Sequence, residues 1–177
     1  GQYIENNQID VLINNAGEYL YSPIENIGLN DLNHIVKTNL EAPLYLISKA
    51  VPHMKSKKWG RIINIGSISG VMGEAGASLY SASKSGLIGA SKALGLELAQ
   101  FGITVNTINP GWVDTELCKD SIDSSEFSLE EIVDCIPQRR FVEPKEVASL
   151  VKYLISEQAK GITGQSINLC AGLSVGI

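Results

Sequence analysis

Tyr80 and Lys84, four residues apart, are the pair in this chain best suited to chemistry. On a helix opening near Ser78 they share one face. A phenol beside an ammonium is a proton donor made easier to ionise: tyrosine's ordinary pKa is about 10, and a nearby cation favours the phenolate. Ser67 stands at the end of the apolar run Arg61-Ile62-Ile63-Asn64-Ile65, where its hydroxyl could meet the phenol across a loop. Together the three groups suit proton transfer to or from a carbonyl or alcohol oxygen. A tyrosine and a lysine at this spacing are more often a solvated helix face or a half-buried ring, so the surrounding elements decide the matter.

Four short apolar runs stop at turn residues: 9–13, ending at Asn14-Asn15-Ala16-Gly17; 61–65; 103–108; and 166–169. Runs of this kind read as strands buried on both faces of a parallel sheet. Helical patterns separate them. Residues 29–54 are periodic, with Asn30 as the expected N-cap and Pro43 as an expected kink. Residues 80–100 are rich in Ala, Leu, Lys and Glu and end at Gly102, the expected C-cap. Residues 143–156 carry Pro144 in the first turn. Strand–helix alternation predicts an α/β fold with a doubly wound parallel sheet, its strands adjacent in chain order.

The segment 114–137 differs. It is acidic, with Asp114, Glu116, Asp120, Asp123, Glu126, Glu130, Glu131 and Asp134, and it follows the third strand. Sheets of this kind bind ligands beyond the carboxyl ends of their strands, so the segment reads either as a substrate lid or as a pair of solvated surface helices.

At 177 residues the chain suits one domain, and 44% hydrophobic residues supply a sizeable core. The net charge of −5, with no basic block, argues against nucleic acid or an anionic membrane surface as the main partner. No apolar run reaches the roughly 18 residues of a membrane span, and there is no secretory signal. Cys118, Cys135 and Cys170 are odd in number and lack metal-ligand spacing; reduced thiols in the cytoplasm are the simplest reading.

Read together, several motifs resemble the short-chain dehydrogenase/reductase family. They are Asn14-Asn15-Ala16-Gly17, Asn39 within Lys37-Thr38-Asn39-Leu40, Ser67, Tyr80 with Lys84, and Pro110-Gly111-Trp112-Val113-Asp114-Thr115. The resemblance runs from Ile9 to about Gly172. Gly60-Arg61-Ile62-Ile63-Asn64-Ile65-Gly66-Ser67, Ser85-Gly86-Leu87-Ile88-Gly89 and Ile162-Thr163-Gly164-Gln165 are most similar to the 3-oxoacyl-carrier-protein reductases of fatty acid biosynthesis.

The resemblance implies a Rossmann-like sheet, an NADP or NAD cofactor with NADP favoured, and a carbonyl substrate, either a small molecule or one borne on an acyl carrier. It implies Tyr80 as proton donor. Lys84 would lower the phenol's pKa and hold the nicotinamide ribose. Ser67 would bind the substrate oxygen, and Asn39 would hold a water leading from Lys84 to solvent. Cofactor contacts would come from the Asn14 backbone, Ala16, Gly17, Tyr80, Lys84, Pro110, Gly111, Val113 and Thr115. A homotetramer is implied as well, built on helices 30–56 and 80–100, with Ala82, Ser85, Gly86, Gly89, Ala90 and Ala93 allowing close approach.

Some positions depart from the family pattern. Gly66 replaces a common serine, Cys170-Ala171-Gly172 replaces Asp-Gly-Gly, and Phe101 stands where carrier-protein reductases often have a basic residue, with Lys55, Lys57 and Lys58 nearby. The glycine-rich turn that receives the cofactor pyrophosphate is not matched: Gly66, Gly70 and Gly73 lack its spacing. The expectation is that ~70 residues of a ~250-residue domain precede Gly1. The competing reading is a non-catalytic relative that binds a partner through the same scaffold.

Overall fold

The computed structural model describes residues 7–116, 118, 122 and 128–175. Four strands, β1 (Val11–Asn14), β2 (Gly60–Ile65), β3 (Ile103–Pro110) and β4 (Ser166–Leu169), form one sheet in the order β1-β2-β3-β4. All three pairings are parallel, with Val11 opposite Arg61, Ile62 opposite Val105 and Ile108 opposite Ile167. This is the predicted sheet, and the apolar runs are the reason: Ile62, Ile63, Val105 and Ile108 are all fully buried.

Successive residues on a strand face opposite ways, and the core divides accordingly. Ile62 and Val105 pack with Ile47, Ala50 and Met54 of α2 (Ala42–Lys57) and Leu98 of α4 (Ser78–Leu98). Ile63 and Ile108 pack with Leu154 of α6 (Pro144–Leu154) and Ala159. Helices on both faces make the sheet doubly wound. Each fully buried large side chain contributes roughly 1.5–3 kcal/mol.

The helix expected over 29–54 is built differently. α1 (Leu29–Val36) is capped at Gly28, not Asn30; the Asp31 carboxylate accepts the Gly28 N–H at 3.1 Å. Asn30 therefore lies inside the first turn. The break comes before Pro43 rather than at it, as a π turn over Lys37–Glu41, where the Ala42 N–H reaches back to the Lys37 carbonyl. Pro43 has no N–H to offer the Asn39 carbonyl, and the chain widens one turn ahead of it. Pro43 then sits in the first turn of α2.

α4 ends in a short 3₁₀ turn and at Gly102, which is left-handed (φ 69°) as expected of a C-cap. α6 starts at Pro144. Two short helices complete the frame, α3 (Ser69–Met72) after β2 and α5 (Leu129–Cys135) after β3. Of the acidic segment, Asp120, Asp123 and Glu126 lie outside the described residues.

Two glycines explain themselves by contact. A Cβ on Gly66 would lie 2.3 Å from Asn109 Oδ1 and 2.8 Å from Thr107 Cγ2, so the serine of other family members has no room here. A Cβ on Gly95 would lie 2.6 Å from the Gly164 nitrogen and 2.7 Å from its Cα, both backbone. Gly95 thus sets how closely α4 sits against the loop before β4. Gly95→Ala should lower stability by about 1–3 kcal/mol, outweighing the ~1 kcal/mol gain in helix propensity. Urea unfolding checks this, and a variant as stable as wild type would show the approach to be slack.

Candidate active site

The carboxyl ends of β1, β2 and β3 open into one cavity of about 1210 Å³. Ser67 reaches it from the end of β2, and Tyr80 and Lys84 reach it from the first two turns of α4. The expected helical face is formed. Ser67 and Tyr80 meet there, and the serine hydroxyl pulls the phenol's pKa down. Ala16 and Gly17 line the cavity after β1, and Pro110, Gly111, Val113 and Thr115 line it after β3.

Two expected residues stay out of the cavity wall. The Asn14 side chain is buried in the sheet, donating to Asn64 Oδ1 at 2.7 Å; its neighbour Asn15 lines the cavity instead. Asn39 is 1% exposed. Its Oδ1 accepts the Glu18 N–H at 2.9 Å, and its Nδ2 donates to the Glu18 carbonyl at 2.8 Å and to Ser83 Oγ at 3.2 Å. Its amide therefore clamps the loop after β1. The π turn presents it to that loop, an arrangement common where helices serve sites.

Lys84 is 4% exposed, and its Nζ donates to the Ile65 carbonyl at 2.9 Å. Burial lowers its pKa to about 8. A Cβ on Gly17 would come within 3.1 Å of that Nζ, so the glycine keeps space open beside the ammonium. Gly70 packs against the Lys84 stem, where a Cβ would lie 2.8 Å from the lysine Cβ. Gly66 and Gly70, which lack the spacing of a phosphate loop, thus have steric reasons of their own.

The expected easing of Tyr80 ionisation is corrected. Its phenol is pushed up, first by burial; the Ser67 hydrogen bond pulls it down, and the Glu74 charge raises it again. Lys84 lies 5.7 Å from the ring centroid, where its charge favours the phenolate, but burial prevails. Tyr80 is held as a neutral phenol, a form able to give a proton.

Sequence reasoning passed over a second set of groups. The Tyr19 ring meets Tyr80 edge-on, with centroids 5.0 Å apart. Tyr19 Oη donates to Glu74 Oε1 at 2.7 Å, and Ser69 Oγ donates to Glu74 Oε2 at 2.6 Å. Ser69 in turn lies 3.2 Å from Ser67 Oγ and gives its N–H to it at 3.1 Å. The available signal was an acidic residue in an otherwise small and apolar loop, Gly73-Glu74-Ala75-Gly76, between Ser67 and Tyr80.

A family model described as "Enoyl-(Acyl carrier protein) reductase" matches residues 4–174. That match decides the family. The chain is a short-chain dehydrogenase/reductase. The uncharacterized oxidoreductase YxjF of Bacillus subtilis is 38% identical over 174 residues, covering 93% of this chain and 68% of that protein. The 3-oxoacyl-[acyl-carrier-protein] reductase FabG of Vibrio harveyi is 39% identical over 166 residues, covering 93% and 66%. The solved structure of ElxO with NADP bound superposes with a TM-score of 0.85 at 32% identity, covering 93% and 66%. This short-chain dehydrogenase/reductase thus spans about two thirds of the length of such relatives.

The buried ammonium gives a pH signature. Lys84 binds its proton less tightly folded (about 8) than its ordinary 10.5, so the unfolded chain holds more protons between those values and stability gains with rising pH. In Lys84→Met that gain is gone. The unfolding free energy of wild type relative to Lys84→Met should rise from pH 8 to pH 10.5, by up to ~3 kcal/mol. Denaturant melts of both proteins across that window check it, and a flat difference would mean the ammonium is solvated.

Proposed function

We propose that this protein is an NAD(P)-dependent oxidoreductase that interconverts a carbonyl and a secondary alcohol. The observation behind the reading is a buried, neutral Tyr80 phenol with the Ser67 hydroxyl and a buried Lys84 ammonium beside it, in a cavity at the carboxyl ends of three parallel strands. That is where open α/β sheets receive nucleotides.

The residues fit a nicotinamide dinucleotide. A cavity of 1210 Å³ exceeds the roughly 300–1,000 Å³ of ordinary ligand pockets, and Gly17 leaves room beside the Lys84 ammonium. Ala16, Gly17, Pro110, Gly111, Val113 and Thr115 would hold it, with Asn14 reaching it at most through its backbone. Its bound nicotinamide supplies the hydride. Tyr80 Oη gives a proton to the substrate oxygen in reduction and takes one back in oxidation, while the Ser67 hydroxyl holds the same oxygen. Lys84 keeps the neighbourhood positive as the phenolate forms. Asn39 fixes the loop that carries Ala16 and Gly17. The expected water from Asn39 to solvent could then use only its backbone carbonyl, since the amide is taken up by Glu18 and Ser83.

A 3-oxoacyl group on a carrier is the finer reading, supported by relatives such as the Vibrio harveyi reductase. NADP is preferred to NAD on the same footing, since ElxO was solved with NADP. α5 bears on the substrate as part of a lid, because Glu131, Ile132, Asp134 and Cys135 line the cavity. A homotetramer belongs to the proposal too. Ala82, Ser85, Gly89 and Ala93 lie on the exposed side of α4 and Leu96 is 85% exposed there, while the sheet-facing close approach is made by Gly95. Cys118, Cys135 and Cys170 form no disulfide among the described residues, which suits a cytoplasmic setting.

Steady-state kinetics with NADPH or NADH and a 3-oxoacyl ester test the reading. Tyr80→Phe should cost at least the 10²–10⁴-fold typical of general acid catalysis and leave cofactor affinity nearly unchanged. Ser67→Ala should lower turnover with little effect on cofactor affinity. Lys84→Met should lower turnover and cofactor affinity together. Alcohol oxidation should speed up as pH rises and the phenol ionises. A Tyr80→Phe enzyme that keeps more than a tenth of its rate would remove Tyr80 as the proton donor.

A further inference from the structure

Glu74 stands two hydrogen bonds from the hydroxyl that would hold the substrate oxygen, by way of Ser69 to Ser67. Both of its carboxylate oxygens accept protons from hydroxyls, Tyr19 on one and Ser69 on the other, the arrangement of an ionised carboxylate. Among the described residues no ammonium or guanidinium pairs with it. Lys84 is the one cation among the described residues lining the cavity; its ammonium donates to the Ile65 carbonyl and makes no ion pair with Glu74.

The other acidic residues of the wall are occupied elsewhere. Asp134 pairs with Arg139 at 2.8 Å, and Glu131 accepts the N–H and hydroxyl of Ser128, both at 2.8 Å. Glu74 is therefore the acidic residue of the wall that is hydrogen-bonded, through Ser69, toward the Ser67 hydroxyl, and it pairs with no cation among the described residues. Its field reaches the Tyr80 phenol, which it raises, and the same field acts on a substrate whose oxygen lies against that phenol.

We propose that Glu74, held by Tyr19 and Ser69, makes this pocket select carbonyl compounds with no negative charge near the reacting carbon, esters, thioesters and neutral ketones over the corresponding oxo acids. The proposal rests on the oxidoreductase reading of the same pocket. A carboxylate one or two bonds from the carbonyl would sit close to Glu74 in a partly desolvated cavity, where like charges repel with little screening. A neutral ester of the same acid meets no such cost.

The test pairs 3-oxobutanoate with its ethyl ester, using wild type, Glu74→Gln and Tyr19→Phe. Glu74→Gln should raise kcat/KM for the anion about tenfold and change the ester less than about threefold. Tyr19→Phe keeps the charge and should keep the discrimination. Equal effects of Glu74→Gln on both compounds, or loss of discrimination in Tyr19→Phe alone, would overturn charge selection and leave Glu74 a positioning residue. Ligand-observed NMR titrations of the same pairs read binding apart from turnover. If neither compound is reduced, the oxidoreductase reading fails for this class, and the affinities alone then decide: a gain of about tenfold for the anion in Glu74→Gln upholds selection, and no gain overturns it. If Glu74→Gln does not fold, raising salt on wild type decides instead. Salt should narrow the gap between ester and anion, and an unchanged gap refutes the proposal.

Discussion

A lysine ammonium held out of water organises this molecule. Taking a charge from water is costly unless it finds a partner and a hydrogen bond. Lys84 finds the carbonyl of Ile65 at the end of β2. Its stem is pressed by Gly70 of α3, and its head lies under Gly17 of the loop after β1. Each of those positions lacks a side chain because the lysine occupies the space. The same burial that lowers the Lys84 pKa raises that of Tyr80 on the next turn. The two shifts have one cause and opposite signs, because desolvation penalises whichever form is charged.

The π turn of Lys37–Glu41 is the second constraint, and it is written in a proline. Pro43 cannot donate to the Asn39 carbonyl, and the widened turn delivers Asn39 to the backbone of Glu18. Glu18 is fixed a second time through its side chain, which contacts His34 of α1 at 2.5 Å. The loop that begins the cavity wall is thereby tied to two helical segments. Stiffness in that loop matters because small misplacements at a reacting centre cost large factors in rate.

Electrostatics divides the molecule between its two sheet ends. Away from the cavity, Lys57 pairs with Asp10, Lys55 lies over the Phe101 ring at 4.7 Å, and Arg61 reaches Glu157. The positive charge expected to compensate for Phe101 is present but largely engaged, which leaves less of it for an acidic carrier. At the cavity, by contrast, the Lys84 ammonium and the Glu74 carboxylate line the same space, each hydrogen-bonded only to neutral groups. The proposed preference about what may approach would rest on the loop residue Glu74.

The sequence by itself determined the sheet, its order and the placing of Tyr80 and Lys84 on one helical face. Parallel strands buried on both faces leave continuous apolar runs, and Tyr80 and Lys84 sit within one helical repeat, so both signals are local. It also supplied the family motifs, which lie within short segments. Tertiary structure decided what depends on groups far apart in the chain. Asn30 is a good capping residue, yet Gly28 and Asp31 took the cap, because the chain's entry angle set where the helix begins. The Asn39 amide is engaged by the backbone of Glu18, 21 residues away. The direction of the Tyr80 shift followed from burial and from Glu74, neither visible in a spacing of four. The Tyr19–Glu74 contact joins residues 55 apart, and no periodicity or motif encodes such a pairing. It exists because the loops after β1 and β2 both end at the same edge of a parallel sheet.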